Sequence, residues 1–470
     1  MRDPGGVLGA IVARKRADVA ERLRGASLAD LRARAEPTRR SLRAALARPG
    51  ARFIMEVKRA SPSKGVLRPG ADPERMAHAY RGAADAMSVL TDAPFFGGSF
   101  ADLAAVRRRF GGPILAKDFI VDVRQVPEAR LHGADAVLAM LSVLDDAEAA
   151  ALIREARRLG MDVLVEAHDA DEVHRAVRLG AAIVGINNRD LRTLHVDLSV
   201  TERLAGLVPA DRLVIAESGI EDRADVERLA PHADGFLVGS SLMRAAAPAR
   251  AARRLAFGRV KVCGLTDAHD AEMAAAMGAG IAGMILVPGT PRAVTVRQAE
   301  PVAEAARANG AAAVGVFRNE QAARVADAAR ALRLDAAQLH GAEDAAYIAD
   351  LRGRLPEACE IWAAGAVGRE LPAPRPGADR ILFDTEVKGA SGGTGIAFDW
   401  SRLRGRAELR TGLLAGGLKA ANARAAARVG AYALDVNSGV EMAPGRKDAG
   451  RMHAFFEALR PDGRGDARSC

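Results

Sequence analysis

The sequence predicts an α/β protein built from two (β/α)8 (TIM) barrels in tandem, and three observations carry that prediction. Short apolar runs of strand length recur eight times in each half, separated by stretches of helical period rich in Ala, Arg, Leu and Glu. The 470 residues exceed the usual size of one domain and divide naturally into two of roughly 200–250 residues. Polar residues stand at the ends of the apolar runs, where such barrels place their chemistry.

The first half opens with a helical segment and continues with eight strand-like runs. Residues 7–47 place apolar side chains at helical spacing, interrupted at Pro37, which predicts an N-terminal helical extension. The loop at residues 59–73, after the first run, is rich in Ser, Pro and Gly and is a candidate lid. The runs begin near Phe53, Met87, Pro113, Ala136, Val163, Ile183, Leu213 and Gly235.

The second half repeats the pattern with almost no linker before it. Its runs begin near Val260, Ile281, Ala313, Ala337, Ile361, Ile381, Leu413 and Leu434. We therefore expect one barrel domain at residues 1–256 and a second at residues 257–460. Residues 461–470, P-D-G-R-G-D-A-R-S-C, predict a disordered tail.

Composition restricts the class of partner. The net charge is +9, but the arginines are dispersed along helices among Asp and Glu, and only three Tyr and two Trp are available for base stacking. We therefore expect no nucleic-acid partner, and the absence of a long uncharged apolar run predicts no membrane span. Residues 1–6 lead into a basic stretch rather than a hydrophobic signal region, so we expect a cytoplasmic protein, acting as a monomer.

The cysteines predict neither a disulfide framework nor a metal site. Three are present, widely separated, and no His/Cys/Asp cluster has metal-ligand spacing. We therefore expect chemistry without metal or cofactor. Cys263 differs from the other two because it ends a strand-like run in V-K-V-C-G-L-T.

Each half predicts a phosphate site in the loops after its seventh and eighth strands. Backbone N–H groups bind phosphate in such loops, glycine allows close approach and serine adds a hydroxyl donor. Tight turns alone would also explain Gly and Ser, but four such loops at the expected strands favour a phosphorylated ligand. The candidate residues are Ser218, Gly219, Gly239, Ser240, Gly416, Gly417, Ser438 and Gly439.

The strand ends of the first half carry carboxylates interleaved with two lysines. Such a ring separates pKa values and supplies both acids and bases. For any single residue a salt bridge at the rim is the alternative, and we interpret His168 as structural. The residues are Glu56, Lys58, Lys117, Asp118, Glu166, Asn187 and Glu217.

Several motifs of this half together resemble indole-3-glycerol-phosphate synthase: E-V-K-R-A-S-P-S-K-G, A-K-D-F-I-V, G-I-N-N-R-D-L, A-E-S-G-I and L-V-G-S-S-L-M. The resemblance implies that Lys117 is the general acid for ring closure and that Glu166 transfers protons during dehydration. It implies that Glu56, Lys58 and Asn187 position the substrate, with Glu217 in support. Ser61 would join Ser218, Gly219, Gly239 and Ser240 on the phosphate. Phe96 and Phe119 would flank the aromatic ring, with buried packing as the equal alternative.

The second half offers a sparser pair, Cys263 after its first strand and Asp384 after its sixth. A thiolate base opposite a carboxylic acid suits proton transfer between adjacent sugar carbons. A buried inert thiol is the commoner role of a lone cysteine, but its place at a strand end favours function.

The motifs V-K-V-C-G-L-T, V-P-G-T-P-R, Q-L-H-G, L-A-G-G-L and D-V-N-S-G-V-E resemble phosphoribosylanthranilate isomerase. The resemblance implies that Cys263 removes the C2′ proton and that Asp384 opens the ribose ring. It implies that Arg292 binds the anthranilate carboxylate, that Gln338 and His340 line the site, and that Gly416, Gly417, Ser438 and Gly439 bind phosphate with the loop 392–395. Asn437 departs from the small residue expected there.

These two families catalyse consecutive steps of tryptophan biosynthesis, and the whole chain resembles their bifunctional fusion. The implied partners are phosphorylated anthranilate–sugar substrates. Two alternatives stay open: one barrel is active and the other is a scaffold, or the protein binds a phosphorylated metabolite or RNA without catalysis.

Overall fold

The computed structural model describes residues 5–368, 370–385 and 397–466. The chain divides into two compact units, residues 1–256 together with 461–470, and residues 257–460. Each unit contains one closed barrel of eight parallel strands, so the predicted pair of (β/α)8 barrels is confirmed.

The first barrel closes because its first strand pairs with both its second and its eighth. Ile54 lies opposite both Ala86 and Leu237 in these two ladders. The strands are almost wholly buried, as the apolar runs predict. They are β1 Arg52–Val57, β2 Ala86–Leu90, β3 Ile114–Lys117, β4 Ala136–Met140, β5 Asp162–Ala167, β6 Ile183–Asn187, β7 Leu213–Glu217 and β8 Gly235–Val238.

Helices surround this barrel, and three precede it as the predicted extension. The chain between the second and third of these helices contains Pro37, at the predicted break. The helices are α1 Gly6–Arg22, α2 Leu28–Arg34, α3 Leu42–Leu46, α4 Pro73–Ala79, α5 Ala93–Phe96, α6 Phe100–Arg109, α7 Gln125–Leu131, α8 Asp146–Arg158, α9 Ala170–Arg178, α10 Ser199–Leu204, α11 Arg223–Leu229, α12 Ser240–Arg244 and α13 Pro248–Phe257.

The second barrel repeats the strand order, with its first strand between its second and its eighth. Its strands are β9 Val260–Val262, β10 Ile281–Ile285, β11 Ala312–Phe317, β12 Ala336–Leu339, β13 Glu360–Val367, β14 Arg380–Thr385, β15 Leu413–Leu414 and β16 Ala433–Val436. Its described α-helices are α14 Ala268–Met277, α15 Val296–Ala308, α16 Ala322–Leu332, α17 Ala345–Arg354, α18 Ala420–Ala427 and α19 Ala449–Ala458. None of the helices in the described ranges is long and apolar enough to span a bilayer.

Apolar side chains fill the interior of each barrel. In the first, Ile54, Leu115, Leu164 and Ile215 belong to one buried cluster. Full burial of each such side chain contributes roughly 1.5–3 kcal/mol. This packed interior leaves the polar residues at the carboxyl ends of the strands as the place where a ligand can bind.

Helix α1 is fixed to the first barrel by a buried ion-pair cluster. Lys15 Nζ lies 2.8 Å from Asp92 Oδ2 and 2.7 Å from Asp118 Oδ1, and all three side chains are buried. Thr91 Oγ1 donates a further hydrogen bond to Asp118. Asp118, one of the predicted strand-end carboxylates, therefore holds the N-terminal extension in place.

The C-terminal segment differs from the prediction. Residues 461–466 pack on the first unit, where the Pro461 carbonyl accepts a 2.8 Å hydrogen bond from Ala51 N and Asp466 Oδ2 accepts one of 2.8 Å from Gly50 N. The Gly465 N–H donates to Asp234 Oδ1 at 2.9 Å. The predicted disorder is therefore wrong for residues 461–466, because polar partners compensate for their lack of apolar side chains. Residues 467–470 lie outside the described residues.

Candidate active sites

One cavity at the carboxyl ends of strands β1–β8 collects every candidate site residue of the first barrel. Apolar side chains of α1, including Leu8 and Ile11, also line this cavity. The sequence candidates that line it are Glu56, Lys58, Ser61, Phe96, Lys117, Phe119, Glu166, Asn187, Glu217, Ser218, Gly219, Gly239 and Ser240.

Lys117, the last residue of β3, is surrounded by carboxylates. Its Nζ lies 3.0 Å from Glu166 Oε2 and forms a second, shorter ion pair with Glu217. Burial by itself lowers the pKa of Lys117, but the negative charges of Glu166, Glu217 and Glu56 outweigh burial and raise the pKa above its ordinary value. The ammonium group is therefore protonated at neutral pH and can act as an acid or a fixed positive charge.

Glu166 at the end of β5 is held in its ionised form. Burial raises the pKa of Glu166, yet Lys117, His168 and Asn187 together lower it below its ordinary value. Asn187 Nδ2 donates a 2.9 Å hydrogen bond to Glu166 Oε1. These partners fix the carboxylate beside the lysine.

His168 lies closer to the chemistry than its structural interpretation implied. Its Nε2 is 3.2 Å from Glu166 Oε1, and its Nδ1 is 3.1 Å from Glu172 Oε2. Burial lowers the pKa of His168, but the two carboxylates raise it to about 10. The imidazole is therefore positively charged at neutral pH and helps to keep Glu166 ionised.

The pKa of Glu217, at the end of β7, shifts in the opposite direction to that of Glu166. Burial raises its pKa to about 7, and the negative charge of Glu166 adds to the increase while Lys117 opposes it. Space for the carboxyl group depends on Gly185 in β6, because a Cβ there would lie 2.0 Å from Glu217 Oε1. A carboxyl group with a pKa near 7 can exchange protons at neutral pH.

Glu56 and Lys58 form a second charged pair beside this group. Lys58 Nζ lies 2.6 Å from Glu56 Oε1, and Ser88 Oγ donates to Glu56 Oε2 at 3.3 Å. Gly239 permits this arrangement, since a Cβ there would lie 2.5 Å from Glu56 Oε1.

The predicted phosphate loops bring backbone and hydroxyl donors to the cavity. Ser218 and Gly219 have φ of 65° and 88°, the left-handed region that favours glycine. Ser240 is the first residue of α12. Ser61 belongs to a short hairpin in the candidate lid, where its Oγ accepts a hydrogen bond from Lys64 N at 3.2 Å.

An aromatic wall completes the first cavity. The rings of Phe96 and Phe119 have centroids 6.0 Å apart, and both rings face the cavity. The wall suits a flat ring placed between apolar side chains.

A second cavity lies at the carboxyl ends of strands β9–β16. It is lined by the sequence candidates Cys263, Arg292, Gln338, His340, Asp384, Gly416, Gly417 and Ser438. Gly439 does not line this cavity. Its Cα faces the preceding loop so closely that a Cβ would lie 1.8 Å from the Leu418 carbonyl oxygen, so its role is to allow the two loops to approach. The candidate loop 392–395 lies outside the described residues.

Cys263 follows β9 and is a buried free thiol. Beneath it, Lys261 Nζ forms a 2.7 Å ion pair with Asp435 Oδ2. Burial raises the pKa of Cys263, while Lys261 and Lys447 lower it. The thiol therefore combines an apolar setting with two nearby positive charges.

Asp384 lies across the cavity at the end of β14. Thr385 N donates a 2.8 Å hydrogen bond to Asp384 Oδ1. The other oxygen, Oδ2, lies 3.6 Å from His340 Nε2 and is available to a ligand in the cavity.

Arg292 is held by a carboxylate of its own barrel. Its Nε and Nη2 lie 3.0 Å and 2.7 Å from the two oxygens of Glu441. Lys447 Nζ in turn lies 2.8 Å from Glu441 Oε1 and 3.1 Å from Asn437 Oδ1. The amide oxygen of Asn437, the residue found where the family pattern has a small one, therefore accepts a hydrogen bond from Lys447. Glu441 in turn orients Arg292 before any substrate binds.

Sequence reasoning missed four charged residues of the second site, Lys261, Asp435, Glu441 and Lys447. One signal was present, because a lysine in the buried run V-K-V-C and an aspartate in L-D-V-N need partners inside a barrel. Within the described ranges, no group of three or more His, Cys, Asp and Glu side chains is arranged to hold a metal ion.

Comparison with known proteins matches each unit to a family. The profile of indole-3-glycerol phosphate synthase matches residues 8–255, and that of N-(5'-phosphoribosyl)anthranilate (PRA) isomerase matches residues 260–458. The tryptophan biosynthesis protein TrpCF of Salmonella typhi is 46% identical over 455 residues, covering 97% of this chain and 99% of its own. The chain belongs to this bifunctional TrpCF family.

Two further TrpCF proteins are similar to this chain over most of their length. That of Vibrio parahaemolyticus is 44% identical and covers 97% of this chain and 94% of its own length. That of Vibrio cholerae is 45% identical over 87% of this chain and 86% of its own length. The first unit is therefore a synthase barrel, the second is an isomerase barrel, and the chain is an enzyme of tryptophan biosynthesis with a lyase and an isomerase activity.

Proposed function

We propose that the isomerase barrel converts N-(5'-phosphoribosyl)anthranilate to 1-(2-carboxyphenylamino)-1-deoxyribulose 5-phosphate, and that the synthase barrel cyclises this product to indole-3-glycerol phosphate with loss of CO2 and water. The observation that carries the proposal is that each barrel gathers acids, bases and phosphate loops around one cavity of its own. This arrangement supports two active sites, one in each barrel, over the alternative that one barrel is active and the other is only a scaffold.

In the isomerase barrel, Asp384 donates a proton to the ribose ring oxygen, which opens the ring. Cys263 then accepts the C2′ proton of the open-chain intermediate. Arg292, oriented by Glu441, binds the anthranilate carboxylate through its remaining donors. Backbone N–H groups at Gly416, Gly417 and Ser438 hold the phosphate.

In the synthase barrel, Lys117 donates a proton to the substrate carbonyl as the ring closes. Its raised pKa supports a protonated ground state. Glu166 then takes part in the proton transfers of dehydration, while Glu56, Lys58 and Asn187 position the substrate. The loops at Ser61, Ser218–Gly219 and Gly239–Ser240 anchor the phosphate, and Phe96 and Phe119 flank the aromatic ring.

The proposal also covers the setting in which the enzyme works. Proton transfer by side chains alone requires no metal or cofactor, and the buried free thiol of Cys263 suits a reducing cytoplasm. We expect a monomer, which sedimentation equilibrium tests, and no nucleic-acid partner, which a salt titration of RNA binding tests.

The test supplies phosphoribosylanthranilate to the purified chain in buffer with a chelator. The expected result is transient accumulation of the ketose phosphate, followed by indole absorbance. A chain that accumulates the ketose without indole would have an inactive synthase barrel. Consumption that needs an added metal, or no consumption at all, would contradict the proposal.

A further inference from the structure

Lys261 is a charged residue of the isomerase barrel that the proposed mechanism leaves unused. Its side chain is completely buried, and its 2.7 Å partner Asp435 is nearly so. The two residues lie opposite each other on the neighbouring strands β9 and β16. Taking two charges out of water is costly, and apolar side chains of similar size would fill the same space at lower cost. Packing alone therefore does not account for this pair.

The lysine lies next to the reactive thiol. Lys261 and Cys263 are two residues apart and point to the same side of the barrel wall. A Cβ on Gly283 of β10 would lie 2.8 Å from Lys261 Cε and 3.0 Å from Cys263 Sγ, so both side chains reach the same point inside the barrel. At this short range the positive charge of the Lys261 ammonium group lowers the pKa of the Cys263 thiol, against the larger effect of burial, which raises it.

Charges surround this thiol from several strands. Lys447 donates a 2.5 Å hydrogen bond to the Cys263 carbonyl oxygen, and Glu441 binds Lys447 from the other side. Asp384 and His340 act on Asp435 from across the cavity. Burial and the negative charge of Asp435 raise the pKa of the Cys263 thiol, whereas the positive charges of Lys261 and Lys447 lower it.

We propose that Lys261 is a positioning residue that stabilises the Cys263 sulfur as a thiolate, and that Asp435 limits this effect by sharing the ammonium group. The inference rests on the proposed role of Cys263 as base. The thiol first releases its proton to solvent. The sulfur then takes the C2′ proton, the electrons of that C–H bond form the C1′=C2′ double bond, and the electrons of the C1′=N bond return to nitrogen.

The test follows alkylation of Cys263 by iodoacetamide between pH 6 and pH 11, read by peptide mass spectrometry on the full chain. Lys261→Met is expected to move the midpoint of the alkylation profile up by one pH unit or more. At any pH below the native midpoint, the rate of Cys263 alkylation should then fall tenfold or more. Asp435→Asn is expected to move the midpoint of the alkylation profile down, because the Lys261 ammonium group then has no carboxylate partner and its charge stabilises only the thiolate. The low-pH limb of isomerase kcat/KM is expected to move with each midpoint, and Lys261→Arg is expected to restore part of the shift.

Matched controls keep folding apart from chemistry. The alkylation of Cys359, a buried thiol on another part of the same barrel, should not change. Both tryptophans, Trp362 and Trp400, lie in the isomerase barrel, so their fluorescence reports its folding. The double variant Lys261→Met/Asp435→Leu removes both buried charges and is expected to fold while keeping the raised midpoint.

Two outcomes distinguish a failure of the proposed base, Cys263, from a failure of the role assigned to Lys261. If Cys263→Ser keeps full isomerase activity, the proposed base is wrong whatever Lys261 does. If Cys263→Ser is inactive, but the folded Lys261→Met chain keeps the native alkylation midpoint and the native pH profile, the role of Lys261 alone is overturned.

Discussion

Both barrels place their reactive groups at the carboxyl ends of strands, but the charges that surround these groups differ. In the synthase barrel a cation, Lys117, lies among the carboxylates of Glu166, Glu217 and Glu56. In the isomerase barrel a neutral thiol, Cys263, lies above a lysine and its aspartate partner. The common fold therefore decides where the chemistry takes place, and the neighbouring charges decide which way a proton moves.

Burial penalises every charged form, so the neighbours decide the outcome. Three carboxylates overcome burial at Lys117 and keep an acid protonated. Two cations only partly offset burial at Cys263, so the pKa of the thiol stays above its ordinary value and the thiol is neutral at rest. One barrel thus presents an acid at neutral pH, and the other presents a base that must first be ionised.

The largest expected effect separates the two sites. Lys117→Ala should remove indole formation and leave isomerisation unchanged, whereas Cys263→Ala should do the reverse. Loss of a general acid or base typically lowers the rate by about 10²–10⁴-fold. Both activities are measured on each preparation. Loss of both activities from either single change would contradict two independent sites.

The next effect concerns the backbone that shapes the isomerase phosphate loops. Gly439→Ala places a Cβ 1.8 Å from the Leu418 carbonyl oxygen, which forces the two loops apart. We expect the free energy of unfolding of this barrel to fall by about 2–4 kcal/mol and the KM of the isomerase to rise. Urea unfolding followed by tryptophan fluorescence measures the first. The control is Gly280→Ala in the same barrel, whose added Cβ meets no atom within 4 Å.

A pH profile tests the carboxylate side of the comparison. Because burial raises the pKa of Glu217 to about 7, this carboxyl group is neutral below that pH and cannot form an ion pair with Lys117. Synthase kcat/KM should therefore rise with pH through about 7, and Glu217→Gln should remove that limb. The isomerase profile of the same variant should be unchanged. A limb that persists in Glu217→Gln would assign it to another group.

The smallest effect concerns how the isomerase orients its substrate. Glu441→Gln weakens the two contacts that hold Arg292, so KM should rise by about 3–10-fold with little change in kcat, as for the loss of uniform binding. Initial-rate kinetics on phosphoribosylanthranilate measure both constants. Glu304→Gln, an exposed substitution on helix α15, is the matched control. A fall in kcat at constant KM would instead give Glu441 a role in the chemical step.

Much of this architecture is readable in the sequence because it depends on local patterns. Sixteen apolar runs predict the strands, and polar residues at their ends predict which side chains meet. The pairing of those side chains is a long-range property, so the bond between Lys15 and Asp118 and that between Arg292 and Glu441 could not be predicted. The order of residues 461–466 could not be predicted for the same reason, since it depends on partners 231 and 416 residues away, the Asp234 carboxylate and the Gly50 N–H group.

A complementation assay tests the central claim of two separate acid–base sites most directly. Lys117→Ala chains and Cys263→Ala chains are mixed in equal amounts and supplied with phosphoribosylanthranilate. Neither variant alone should form indole-3-glycerol phosphate, while the mixture should form it after a lag, because the ketose phosphate made by one chain is cyclised by the other. A mixture that forms no indole product, although each variant keeps its remaining activity on its own substrate, would contradict the account.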